Sequence, residues 1–280
     1  MKKIFTIALV AAMFVACSKE NTEFRSDIPA GYGEMSITTA LTPVIEAQTR
    51  AQVELPAGTT IPSDAMQFNL SIVSTDEAHS YNNSWSAVSD YSPKKDLLYA
   101  TTYNVTIHTP SLDGVASSEE GLDKPYFEGT SPVTVVARTQ TPVEVKASLA
   151  NSIVRIVFTD NFKGYFPNGA DFKLTTAAGN EFKIGYTADD HSVEELYWFV
   201  RPTSFTIVGT ATKQRPSASV EPQSVTFAET LNSAVAPRTL YTYTFDVKGV
   251  GTTGSVTITL NDTPIATEES DHEMNDDAIL

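Results

Sequence analysis

Val143, Val145, Ala147 and Leu149 alternate strictly with Glu144, Lys146 and Ser148, and this period of two recurs along the chain. Phe68, Leu70 and Ile72 alternate with Asn69 and Ser71, and Tyr103, Val105 and Ile107 with Asn104 and Thr106. Further runs are Met35-Ile37-Thr39-Leu41, Phe182-Ile184-Tyr186, Tyr241-Tyr243-Phe245-Val247 and Val256-Ile258-Leu260. Successive side chains of a strand point to opposite faces, so each run turns one face to a core and the other to water. No stretch of about twelve residues carries a helical period. Ser192 and Glu195 have capping-box spacing ahead of Leu196 and Tyr197, enough to start a single turn. Tyr197-Trp198-Phe199 reads as a buried strand.

Breakers separate the runs: Pro56-Ala57-Gly58, Asp113-Gly114, Pro167-Asn168-Gly169, Ala178-Gly179-Asn180 and the stretch from Gly249 to Gly254. Gly179-Asn180 lies near the centre of Leu174 to Ile184 and predicts a hairpin. Many strands without helices must cover their apolar faces with a second sheet, which predicts an all-β fold of antiparallel sandwiches. One sandwich uses about 100 residues, so the chain predicts two in tandem. The boundary falls at Ala150-Asn151, giving sandwiches over 32–150 and 151–262. Asn151-Ser152 is too short a linker for free domain motion, so the halves are expected to pack as one rod. Six acids among the ten residues Glu268 to Asp277 predict a solvated tail over 263–280.

Ahead of the body stands a different kind of segment. Lys2 and Lys3 precede an apolar stretch from Ile4 to Val15, which closes on Val15-Ala16-Cys17. That is a secretory signal over 1–16, too short for a stable membrane span. Cys17 is the one cysteine of the chain and stands where a bacterial lipoprotein is cut and acylated. Residues 17–31 then read as a lipidated cysteine and a polar tether. The expected location is the outer membrane, held by lipid through Cys17 and facing the surface.

Removing residues 1–16 takes away Lys2 and Lys3 and no acid, so the net charge moves from −15 to −17. A body this acidic repels phosphates, and nucleic acid is not an expected partner. With Cys17 acylated no thiol remains for a disulfide, so the core alone must hold the fold. The chain is 41% hydrophobic and 19% charged, sufficient for that task.

A search for chemistry finds little. Gly-x-Ser-x-Gly, a phosphate-binding glycine loop and His-Glu-x-x-His are all missing from the sequence. His79, His108, His191 and His272 lie far apart without metal-ligand spacing, and Asp189-Asp190-His191 are neighbours whose side chains diverge on a loop. Glu119-Glu120 and Glu194-Glu195 are pairs that so acidic a chain contains by chance. The expectation is no catalytic residue, no metal and no cofactor. Tyr81, Trp85 and Tyr91 lie in a polar stretch and are candidate ligand-contact aromatics, able to stack on a sugar or a partner protein. The competing reading has Trp85 plugging the side of a core.

Lys124-Pro125-Tyr126-Phe127-Glu128-Gly129, then Val133–Val136, Val143–Leu149, Asn151 and Ile153–Phe158, resembles the domain of unknown function 4493 family, surface lipoproteins of Bacteroidetes. Cys17-Ser18-Lys19-Glu20 is similar to lipoprotein starts in that phylum. The family in turn resembles fimbrillin-like two-domain β-sandwiches, with transthyretin-like topology, that build or anchor pili and adhesins. The resemblance implies a non-enzymatic role as a pilus or adhesin component or a host- or matrix-binding protein. Its partners would be other fimbrillin-like subunits or surface glycans. It also implies a candidate maturation site at Arg50, where an arginine-specific protease would remove the leading strand; the competing reading keeps Arg50 as a solvated loop residue and the first strand in place, as in a permanent anchor or tip protein. The alternative is a glycan-binding lipoprotein of a polysaccharide-uptake system.

Overall fold

The computed structural model describes residues 24–42, 55–110, 119–214 and 221–248, and the strand backbone at 45–46, 52–53, 255–263 and 269–273. In chain order the first half contains β1 (Tyr32–Thr42), β2 (Ile45–Glu46), β3 (Gln52–Val53), β4 (Asn69–Ser74), β5 (Asn82–Trp85), β6 (Leu98–Tyr99), β7 (Thr102–His108), β8 (Gly121–Leu122), β9 (Phe127–Thr134) and β10 (Gln140–Leu149). The second half contains β11 (Ser152–Phe158), α1 (Asp160–Tyr165), β12 (Gly169–Thr176), β13 (Glu181–Thr187), β14 (Trp198–Val200), β15 (Phe205–Thr212), β16 (Ser224–Asn232), β17 (Leu240–Lys248), β18 (Ser255–Thr263) and β19 (Glu269–Glu273). The alternating runs of the sequence fall on β1, β4, β7, β10, β13, β17 and β18. The expected hairpin is β12–β13, with Leu174 opposite Phe182 and Gly179 taking the left-handed turn conformation at φ 88°.

Three principal sheets form, one of them a curled half-barrel. The seven-stranded sheet has the order β5-β4-β7-β9-β10-β1-β6. Its inward residues, including Met35, Leu70, Ile72, Val105, Val145 and Leu149, share one core. Short 3-10 turns at Ala65–Gln67 and Val88–Asp90 cover that core in place of a second sheet. Asp64 caps the first turn, its side chain accepting from the Met66 amide. β9 and β10 approach so closely that a Cβ on Gly129 would lie 2.1 Å from the Lys146 carbonyl oxygen.

In the second half the four-stranded sheet (β13-β12-β15-β16) and the six-stranded sheet (β19-β18-β17-β11-β14-β8) contribute to one shared core. Six phenylalanines fill its centre, with Phe172 4.5 Å from Phe245 and 5.1 Å from Phe227 between ring centroids. α1 delivers Phe162 into this cluster and starts on a cap, the Thr159 hydroxyl accepting from the Phe162 amide at 3.1 Å.

Several expectations are corrected. The pairing is not uniformly antiparallel, because β1 runs parallel to β10 from Glu34↔Gln140 to Thr42↔Ser148, and β11 runs parallel to β17. The 32–150 segment does not keep to itself, since β8 joins the six-stranded sheet beside β14. Residues Phe24 to Gly31, expected in the tether, are placed on the body: Ile28 is buried and the Arg25 amide donates to the Arg138 carbonyl at 2.7 Å. Part of the acidic tail, Glu269–Glu273, pairs with β18 as an edge strand. Ser192 and Glu195 do not open a helical turn. The Ser192 amide donates to Asp190, and the Glu195 carboxylate pairs with Arg155 at 2.8 Å.

Candidate functional site

Glu120 shows why the two halves meet where they do. It precedes β8, lies 3% exposed, and has both carboxylate oxygens occupied. Oε2 accepts from the Thr176 hydroxyl at 2.6 Å and from Asn180 Nδ2 at 2.7 Å; Oε1 accepts from the Arg201 amide at 2.9 Å. A buried carboxylate requires such donors, and three of them hold this one between the sheets. Glu120 therefore works as a clasp between the six- and four-stranded sheets.

Its neighbour Glu119 is less completely paired. Burial raises its carboxyl above the ordinary value, opposed by the Arg201 guanidinium, whose Nε lies 3.4 Å away. Burial likewise pushes the Tyr126 hydroxyl up, and the charges of Glu119 and Glu128 add to that effect. Asn151 ties the neighbourhood together. Its Oδ1 accepts from the Tyr126 amide, its Nδ2 donates to the Glu119 carbonyl at 2.9 Å, and its carbonyl accepts from the Arg238 amide at 2.8 Å. Ile153 and Phe199 extend the first core into the six-stranded sheet at the same place. No local pattern marks this cluster in the sequence, since Glu119-Glu120 resembles any other acidic pair.

The aromatics picked out by the sequence turn inward. Tyr91 is buried, and Trp85 and Tyr81 are half-buried against the half-barrel core. Trp85 meets Tyr91 edge to face at 5.1 Å and 86°, and Tyr81 meets Tyr103 at 5.9 Å and 87°. Perpendicular pairs fill a core and do not form a coplanar stacking platform. Trp85 lies on β5 at one end of the seven-stranded order, and Tyr91 lies beside the Met35 backbone of β1 near the other. These rings thus help close the half-barrel.

The histidines are dispersed. His79 stacks on Tyr99 at 3.7 Å and holds the Asp76 carboxyl below its ordinary range through a 2.9 Å contact. His191 Nε2 lies 2.9 Å from the Pro167 carbonyl, while Asp190 accepts from Ser192, so these neighbours diverge. Among the described residues no group of three or more His, Cys, Asp or Glu is placed to hold a metal ion. No described helix is long and apolar enough to cross a membrane. A shallow cavity of about 290 Å³ lies on the four-stranded sheet, lined by Asp171, Lys173, Lys183, Val208, Thr210 and Thr226 among others. Cys17 and Arg50 lie outside the described residues.

The profile of the family described as Domain of unknown function (DUF4493) matches residues 31–275. No curated protein matches. Among solved structures, the chain is similar to a candidate cell adhesion protein of Bacteroides ovatus, with 11% identity and a TM-score of 0.41 over 87% of this chain and 99% of that one. A candidate cell adhesion protein of Bacteroides eggerthii has 12% identity and a TM-score of 0.42, over 84% and 97% of the two chains. A fimbrial assembly protein of Parabacteroides distasonis has 10% identity and a TM-score of 0.41, over 86% and 99%.

Proposed function

We propose that this chain, which belongs to the family described as Domain of unknown function (DUF4493), is a lipid-anchored surface protein that holds cells to a partner and does no chemistry of its own. The β1–β10 pairing carries this reading. A tether from acylated Cys17 would enter the body at Phe24 and pass within a few residues into β1. That strand is joined in parallel to β10 over nine residue pairs. Tension along β1 would load the whole ladder at once, and would then pass from β10 through Asn151 into the second half. An anchor paired along nearly its whole length to one long strand suits a protein that transmits force. Adhesion to a host or matrix surface, or assembly with fimbrillin-like subunits, would make use of it.

The test compares cells carrying the wild-type chain with cells carrying Cys17→Ser, each flowed over immobilised matrix protein and mucin. Retention should fall to the level of a deletion strain with Cys17→Ser, and radiolabelled palmitate should appear on the wild type alone. Equal retention of the deletion strain would sink the adhesive role. The shallow cavity on the four-stranded sheet, with two lysines, an aspartate and threonines, favours one second reading: a polar oligosaccharide bound by a monomer. Saturable binding of soluble glycans by the released body, without surface retention, would select it.

A further inference from the structure

We propose that the end of the half-barrel bearing Phe24, Tyr32 and Val136 rests on the bilayer that receives the Cys17 acyl chains. The proposal rests on the lipid anchor proposed above. Phe24 is 67% exposed, Tyr32 40% and Val136 52%, three of the seven large hydrophobic side chains exposed among the described residues.

These residues are held together by named contacts. Arg138 lies over the Phe24 ring at 5.5 Å, its amide donates to the Tyr32 carbonyl at 2.7 Å, and its carbonyl accepts from the Arg25 amide. The Thr139 hydroxyl donates to the Val136 carbonyl at 3.0 Å, while the Thr139 carbonyl accepts from the Glu34 amide at 2.9 Å. The patch is thus a built surface on the β9–β10 turn and the start of β1.

Chain length brings this end to the membrane. Six residues lie between Cys17 and Phe24, and the seven steps from one to the other span at most about 25 Å when fully extended. Charge selects the same end. The charged groups around it are Arg25, Arg138, Lys94, Asp27, Glu34 and Asp76, with His79 stacked on Tyr99, and their cations and acids balance. The chain as a whole stands at −15 and would be repelled by anionic headgroups elsewhere. Aromatic rings and arginines with buried stems are the side chains that partition to the headgroup level.

The lipidated full-length protein is reconstituted into vesicles of phosphatidylethanolamine and phosphatidylglycerol that contain a lipid with a nitroxide near the headgroup. Acylation consumes the thiol of Cys17, so a Val136→Cys variant carries one reactive site for a bimane label. Leu231→Cys, on β16 of the second half, serves as the control. Quenching should be at least about twofold stronger at 136 than at 231, as expected for a residue at headgroup depth. Adding Phe24→Ser and Tyr32→Ser should remove the difference while the circular dichroism spectrum is unchanged. Equal quenching at both positions, in protein that floats with the vesicles, overturns the docking and leaves the anchor standing. Protein that does not float overturns both.

Discussion

The two halves bury similar chemistry by different means. In the second half, two sheets contribute to a common core, and Phe158, Phe162, Phe166, Phe172, Phe227 and Phe245 interlock between them. In the first half, one sheet curls around a largely aliphatic core, and irregular turns supply the cover. A facing sheet is a rigid lid whose every second residue points inward. A cover of short turns depends on caps and on single side chains, such as Ala65 and Val88. The first half should therefore tolerate variation in its loops but fail abruptly when its strands lose apolar character. The second should fail in proportion to the aromatic volume removed.

The contrast can be broken most violently at Val145, which is fully buried in β10. Val145→Asp places an unpaired charge in the half-barrel and should cost upwards of about 4 kcal/mol. Chemical denaturation with near-ultraviolet circular dichroism checks it: a surviving aromatic signal would show that the second half stands without the first. Phe172→Ala removes the ring nearest Phe245 and should cost about 3–5 kcal/mol, read as a shift of the denaturation midpoint. Loss of the first half at the same midpoint would show that the halves unfold as one unit.

Asn151→Ala tests the joint itself. It leaves the Tyr126 amide and the Glu119 carbonyl without their partner, at about 1–3 kcal/mol. Its signature should be the splitting of one unfolding transition into two. The smallest effect belongs to Glu119. Its folded pKa is raised above the ordinary 4.5, so the folded state holds the proton more tightly than the unfolded chain. The contribution of Glu119 to stability is therefore fully present below the ordinary value, is lost as pH rises from there through the raised folded pKa, and is constant above it. Glu119→Gln should flatten this dependence and raise the midpoint slightly at pH 8 while changing little at pH 4.

Strand positions were legible because a half-buried strand writes its period into neighbouring residues. Val143 to Leu149 and Tyr241 to Val247 lie on β10 and β17, as their alternation requires. The parallel partnerships were not legible, since nothing near Met35 indicates a strand over a hundred residues later. The half-barrel was missed for a related reason: a curled sheet and a sandwich share the same alternation, and only the pairing of strands remote in sequence separates them. α1 is six residues long, below the length at which a helical period can be seen. The block Pro125-Tyr126-Phe127, which carried the family resemblance, gains a physical meaning from the structure. It sits at the Asn151 joint, where the Phe127 amide also donates to the Thr109 hydroxyl at 2.9 Å.

The parallel partnership of β1 also sets a timetable. β1 is synthesised first, but the strand it pairs with lies about a hundred residues further along, and contacts so remote in sequence make folding slow. Until β10 arrives, Ile37 and Leu41 have no sheet to pack into, and β1 presents an unpaired edge. β11 waits in the same way for β17. Newly made chains should therefore depend on a holding chaperone, and a chain truncated before β10 should aggregate even though β4, β5 and β7 are all present.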